Sequence, residues 1–288
     1  MKFIIFTMLT LNFLLSAQSA FARGNDCDGN MFATSNPSDI IEEYNNRVTV
    51  YIPIKIQVSD SLLNCADEIW VEDVYYYSMV FSGPTQDKYA KLYNSQFKKI
   101  KVRNGIWRSN LKDRATQMWV RLRHYSLFPA GAYTGHVVVS VVKNNEIIDQ
   151  QYLDLSYYSE PQVAISLSNS SKGKVSGNNG NYHIDLGELK SNMRFNWGIK
   201  ILSNSSYDIV VDSEYNGLRH ETNKQALIDY SIKFDNSQVS SSERLYRSYN
   251  FYPGVKNKWY GFEFKLGNVE LMPAGTYQDN LSLTVYPR

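Results

Sequence analysis

The chain has 288 residues, with 30 basic and 28 acidic side chains, 4 histidines and a formal charge of +2 at pH 7. A balance this even excludes the basic footprint that a nucleic-acid partner requires. Hydrophobic residues make up 43% and aromatic residues 14%, including 22 tyrosines, so the length suits two domains with β-favouring cores.

Residues 1–22 read as a secretory signal peptide. Lys2 supplies the positive start, residues 3–15 the apolar run, and Ala20-Phe21-Ala22 the small-x-small cleavage site. The run is too short, and lacks the following charges, for a membrane anchor. Export implies an oxidising compartment, so Cys27 and Cys65, the two cysteines of the sequence, are expected to form a disulfide. The loop closed, about 39 residues, is worth about 3–4 kcal/mol in the chain-entropy picture. A thiol catalyst or a metal site would need partner residues that the sequence does not supply.

Alternating segments then recur at 48–52, 54–58 and 118–122, and later at 195–202, 209–211 and 260–266. Clusters of Asn, Ser, Gly and Asp separate them, which is the pattern of a sandwich of short strands. Between the early strands, 86–100 is read as a short helix at most, because its apolar spacing is poor. The run Val74-Tyr75-Tyr76-Tyr77-Ser78-Met79-Val80-Phe81 has two readings. It is a strand with alternate residues in the core, the stronger reading, or an exposed aromatic face for sugars or apolar surfaces. Tyr125 and Phe128, before a turn, carry the same two readings. Candidate surface-binding aromatics are therefore Tyr75, Tyr76, Tyr77, Tyr125 and Phe128.

The phrase Phe128-Pro129-Ala130-Gly131-Ala132-Tyr133 is followed by Val137, Val139 and Val141, a polar turn at Lys143-Asn144-Asn145-Glu146, and a second strand through Leu153, Leu155 and Tyr157. This is a hairpin that closes its own sheet. Its glycine suits positive φ, and its tyrosine can cap a backbone group in the manner of a tyrosine corner. A new strand pattern begins at Val163 beyond Ser159-Glu160-Pro161. The expected organisation is a first domain at 23–158, a linker at 159–162 and a second domain at 163–288. The corner phrase recurs as Pro273-Ala274-Gly275-Thr276-Tyr277, followed by Leu281, Leu283 and Val285 on one strand face and then only Pro287-Arg288. The expected fold is all-β, two immunoglobulin-like sandwiches, with the second short of its last strand and open along the Leu281–Leu283–Val285 edge.

Catalytic patterns are missing from the sequence. The four histidines lack a metal-ligand spacing, and there is no GxSxG, P-loop or GxGxxG. Asp26-Cys27-Asp28-Gly29-Asn30 has its glycine in the wrong place for a calcium loop. No enzyme activity, cofactor or metal is expected.

Four segments carry a family resemblance: Ile184-Asp185-Leu186-Gly187-Glu188-Leu189; Ser203-Asn204-Ser205-Ser206-Tyr207 with the strand after it; Ser213 to Leu218 with 228–232; and Pro273-Ala274-Gly275-Thr276-Tyr277-Gln278-Asp279. In this order they resemble the spore coat protein U-like domain family, found in minor and tip subunits of archaic chaperone–usher pili. The first domain keeps Pro-Ala-Gly-x-Tyr but has Gly135 where the family has its aspartate. The resemblance implies a pilin domain completed by a strand from another protein. A periplasmic chaperone lends it first, and the N-terminal segment of the adjacent subunit replaces it at an outer-membrane usher. It also implies that the C-terminal carboxylate of Arg288 anchors the chaperone. Cys27 lies so near the cleavage site that no donor segment precedes it, which points to the distal end of a fibre. The expectation is a two-domain tip adhesin, exported through the periplasm to the cell surface, whose first domain meets a receptor or surface. The alternatives are a secreted structural coat or matrix protein without a receptor, and, less favoured because its domains are complete, a periplasmic chaperone.

Overall fold

The structure is a computed structural model. It describes residues 27–36, 40–44, 47–125, 127–168, 174–178, 181–235, 237–240, 245–251 and 254–288. The signal-peptide segment lies outside them. The fold is all-β, in antiparallel sheets.

The first half contains β1 (Met31–Ser35), β2 (Ile40–Tyr44), β3 (Arg47–Val58), α1 (Asp60–Cys65), β4 (Glu68–Asp73), β5 (Val80–Phe81), β6 (Lys88–Tyr89), β7 (Lys91–Asn94), β8 (Val102–Arg103), β9 (Ile106–Asn110), β10 (Ala115–Tyr125), β11 (Gly131–Lys143) and β12 (Glu146–Ser159). One layer runs β1–β3–β10–β7, with β2 also on β3; the other runs β12–β11–β4–β9–β8. The inward residues of both layers, among them Val50, Ile52, Val71, Val120, Val137 and Val139, form a single core.

Two local expectations change. The segments at 48–52 and 54–58 are one strand running through Pro53. On one side β2 pairs with 47–51 and β1 with 54–58, so Pro53 falls in the gap where no backbone N–H is required. Residues 86–100 are not helical; they hold β6, β7 and a tight turn, because Ala90 and Leu92 are drawn into the core while Lys91 between them stays out. The one described helix is α1, whose N-cap Ser59 accepts from the backbone of Leu62. Cys27 and Cys65 are joined, as expected, pinning the end of α1 to the residues before β1.

The last strand of this half also shields the first. Beside the free edge of β1, Asp149 on β12 accepts from Met31 N at 2.7 Å, and Gln151 exchanges two hydrogen bonds with Ala33, at 2.7 and 3.0 Å. Side chains of β12 thus satisfy backbone groups that would otherwise form an open edge.

The second half contains β13 (Val163–Leu167), β14 (Lys174–Asn178), β15 (Asn181–Asp185), β16 (Arg194–Ser203), β17 (Tyr207–Ser213), β18 (Leu218–His220), β19 (Leu227–Ile228), β20 (Tyr230–Phe234), β21 (Ser237–Ser240), β22 (Leu245–Tyr249), β23 (Lys256–Leu266), β24 (Tyr277–Gln278) and β25 (Leu281–Pro287). A layer β13–β16–β23–β20–β21 faces the shorter sheets β22–β17–β25 and β19–β18–β24. Its core is separate and aromatic, with Phe195, Trp197, Phe234, Tyr260 and Phe264 packed on Ile209 and Val211.

Asn204, 1% exposed, ties the halves together. Its amide donates to the carbonyls of Phe128 and Glu160, both at 2.9 Å, and its side-chain oxygen accepts from Gln162 N at 2.6 Å. Its backbone carbonyl accepts from Ala130 N. The asparagine of the Ser-Asn-x-x-Tyr phrase is therefore the hydrogen-bonding centre of the junction.

Candidate functional site

The Pro-Ala-Gly-x-Tyr phrase builds the same corner twice. Tyr133 donates to the carbonyl of Pro129 at 3.0 Å, and Tyr277 to that of Pro273 at 2.8 Å. Gly131 has φ +128° and Gly275 φ +153°. A Cβ at Gly275 would strike the His220 ring, and one at Gly131 would strike Pro84. In the second half Asp279 fixes the chain after the corner, accepting from Ser213 Oγ at 2.6 Å, Tyr215 N at 3.1 Å and the Tyr230 hydroxyl. Burial, and then the bond to Asp279, push the Tyr230 phenol far above its usual pKa.

The strands that follow the two corners have different surroundings. β11 is paired on both sides, with β4 and β12. β25 is paired with β17 on one side, and its other edge has no strand partner among the described residues. β13 is likewise paired on one side only, with β16. The two unpaired edges belong to opposite layers and approach one another, so a seam runs between them.

The seam is graded. At its Val285 end β25 is clasped to the β17 side, where Arg288 donates its backbone N–H to Ser206 O at 2.7 Å and its guanidinium reaches Asp208 at 3.1 Å and Asn250 at 2.6 Å. Burial acts to raise the Asp208 carboxyl, but hydrogen bonds from Tyr246 and Ser248 and the Arg288 charge outweigh it and hold the group below the usual carboxylate value. Val285, at this end, is 8% exposed; Leu283 is half-buried; Leu281 is 40% exposed. Across the seam Val163 and Leu167 are also half-buried. So are Leu186, Leu189, Val269 and Met272, all packed against this core. In the first half the half-buried residues against the core are Leu63, Ile148 and Leu153. The second core is therefore built with an apolar wall left partly wet. Such a wall, flanked by two unpaired strand edges, can accept an extended segment through main-chain hydrogen bonds and alternate apolar side chains.

The expected aromatics separate. Tyr75, Tyr76 and Tyr77 are not a strand but a turn, 71%, 54% and 89% exposed. The alternation is interrupted by Asp73, whose buried carboxylate accepts from the backbone N–H groups of Tyr75, Tyr76 and Val80, each at 2.9 Å. That cap folds the chain back and presents the rings outward, with Tyr75 edge-on to His136 on β11. Phe128 is a correction: it is 2% exposed, packed between Tyr133 and Tyr157, and offers no surface. It sits beneath the junction, where its own carbonyl accepts from both Asn204 Nδ2 and Ser159 Oγ. The side chain of Tyr125 lies outside the described residues. Sequence reasoning missed Asp73, although an aspartate directly before a polar–aromatic run is the usual signal of an Asx-type cap. Among the described residues no group of three or more His, Cys, Asp or Glu could hold a metal ion, and no helix is long and apolar enough to cross a membrane.

No family model and no curated protein matches the chain. Solved structures do resemble it. One is a chain of the CsuC–CsuE chaperone-tip adhesion subunit pre-assembly complex from archaic chaperone-usher Csu pili of Acinetobacter baumannii, at 17% identity over 79% of this chain and 86% of that one, with a TM-score of 0.42. CfaE, the adhesive subunit of the CFA/I fimbria of enterotoxigenic Escherichia coli, is 10% identical over 91% and 79%, with a TM-score of 0.31. AggA, the major subunit of aggregative adherence fimbriae type I of Escherichia coli, is 12% identical over 47% and 97%, with a TM-score of 0.31.

Proposed function

We propose that this chain is a subunit of a chaperone–usher surface fibre whose second half is completed by a β-strand from another protein. The seam between β13 and β25 carries this reading. Its two unpaired edges supply main-chain donors and acceptors, and Leu281, Leu283, Val163 and Leu167 supply the apolar pockets. Three to five inserted side chains would bury enough apolar surface for roughly 5–12 kcal/mol before ordering costs. A periplasmic chaperone would fill the seam first, and an adjacent subunit would fill it after transfer at an usher.

The first half, closed by its own β12, has no comparable vacancy among the described residues and is free for another task. We assign it surface binding at the fibre tip, with Tyr75, Tyr76 and Tyr77 as contact residues on the rigid Asp73-capped turn. The role is one of binding rather than catalysis.

The decisive experiment supplies the strand in cis. A short turn and an eight-residue alternating apolar strand are appended after Arg288 in the full chain. A control carries serine at every apolar position of the added strand. The apolar version is expected to raise the melting temperature by about 10 °C or more and to protect β25 amides from exchange. Equal behaviour of the two versions would sink the reading.

A further inference from the structure

Lys143 ends β11 two residues beyond Val141, so it leaves the strand on the face that carries the first core. It is half-buried there, and its ammonium reaches both sulfurs of the disulfide, donating to Cys65 Sγ at 3.4 Å and to Cys27 Sγ at 3.6 Å. Among the described residues it forms no ion pair. Of the nearby carboxylates, Asp67 accepts from Asn144 N at 2.9 Å and Glu68 from Trp70 Nε1 at 2.5 Å. Asp28, beside Cys27, and Glu146, opposite Lys143 on β12, are exposed. The backbone fixes the contact with sulfur. Asp67, two residues past Cys65, donates its N–H to Val142 O at 2.9 Å, and its carboxylate holds Asn144 N, so Lys143 is pinned on both sides.

The two sulfurs are not equivalent. Cys65, at the end of α1, is half-buried, whereas Cys27 is 6% exposed. A sulfur arriving from solvent meets Cys65 first, which leaves Cys27 as the departing or resolving sulfur. A positive charge beside a sulfur favours its anionic form, and the thiolate is both the attacking and the leaving species in exchange.

We infer that Cys27–Cys65 is a thiol–disulfide exchange site served by Lys143, and that its reaction partner is the disulfide of an exogenous thiol oxidant. In the reduced chain the Cys65 thiolate attacks the external disulfide, forming a mixed disulfide and releasing one external thiolate. The Cys27 thiolate then attacks Cys65 Sγ, closing the Cys27–Cys65 bond and releasing the second. The two cysteines lose two electrons and two protons; the external disulfide gains them and becomes two thiols. Lys143 keeps its own proton and faces the sulfur that is anionic at each step. Because Lys143 is 78 residues from Cys65 in sequence, this help exists only once β11 has docked beside α1. The bond therefore closes fast in the folded half and slowly in an unfolded chain. The inference requires neither strand capture by the second half nor a receptor.

The test runs the same steps in reverse, following reduction of the oxidised full chain by glutathione under native conditions at neutral pH. Lys143→Met keeps the stem and removes the charge; it should slow reduction about tenfold at unchanged melting temperature. Lys143→Arg keeps the charge and should stay within about twofold of the unsubstituted chain. In the unsubstituted chain the first mixed disulfide, trapped by acid and mapped by mass spectrometry, should lie on Cys65. Three outcomes would overturn the inference: an unchanged rate in Lys143→Met, a Lys143→Arg chain as slow as Lys143→Met, or a first adduct on Cys27. The last reading needs no variant, so it decides the matter even if the substitutions unfold the chain.

Discussion

β11 and β25 begin from the same corner phrase and carry apolar residues at matching places, yet they end in different states. Val137, Val139 and Val141 are fully buried, because β4 and β12 flank their strand. Leu281, Leu283 and Val285 occupy the corresponding places after Tyr277, and their burial rises only toward the Arg288 clasp. An alternating apolar strand specifies which face turns inward; its neighbours decide whether that face becomes dry. The difference also separates two solutions to an open edge. In the first half, Asp149 and Gln151 of β12 bond to the β1 backbone. In the second, the edges of β13 and β25 stay unpaired among the described residues.

Equal substitutions in the two strands should break this comparison if it is wrong. Val139→Asp places a charge in a closed core and should cost more than about 4 kcal/mol, enough to unfold the first half in a denaturant titration. Leu283→Asp should cost about 1 kcal/mol, since the carboxylate can turn to water, while abolishing the stabilisation by an appended strand. If both variants unfold alike, the seam is not open.

Truncation gives a finer measure. Val137→Ala should cost about 2 kcal/mol, whereas Leu281→Ala, a larger deletion, should cost under about 1 kcal/mol. With the apolar strand appended, the Leu281→Ala cost should rise to about 2–3 kcal/mol. The corner tyrosines offer a third pair. Tyr133→Phe leaves the Pro129 carbonyl without its donor in a buried site and should lose about 1–2 kcal/mol; Tyr277→Phe, where water can replace the hydroxyl, should lose under about 0.5 kcal/mol.

The smallest effect concerns pH. The folded value of Asp208 lies below its unfolded one, so its contribution is complete above the ordinary carboxylate value and fades as pH falls toward the folded value. Acid should therefore loosen the Arg288 end of β25 before β11 changes, read from exchange of the Arg288 amide. Loosening at high pH instead would contradict the clasp.

Much of the fold was legible because strand alternation and turn chemistry are local. The β11–β12 hairpin, its Asn144-Asn145 turn and both tyrosine corners are written in short phrases whose conformational preferences do not depend on distant residues. The Cys27–Cys65 pairing followed from compartment and count. Other features were not legible. The continuity of β3 through Pro53 depends on where two other strands happen to stop. The exposure of Tyr75, Tyr76 and Tyr77 depends on a buried Asp73 capping three backbone donors. The burial of Phe128 depends on a junction tied by Asn204, far along the chain.

By itself the sequence determined the all-β class, the inward face of each strand and the two corners, since these rest on the two-residue period and on backbone freedom at glycine. Only the tertiary structure decided that Asp149 and Gln151 cover the edge of β1, that Asp73 turns three tyrosines outward and that Asn204 ties the halves together. Side-chain bonds to distant backbone groups are set by how the strands pack, and no local preference encodes them.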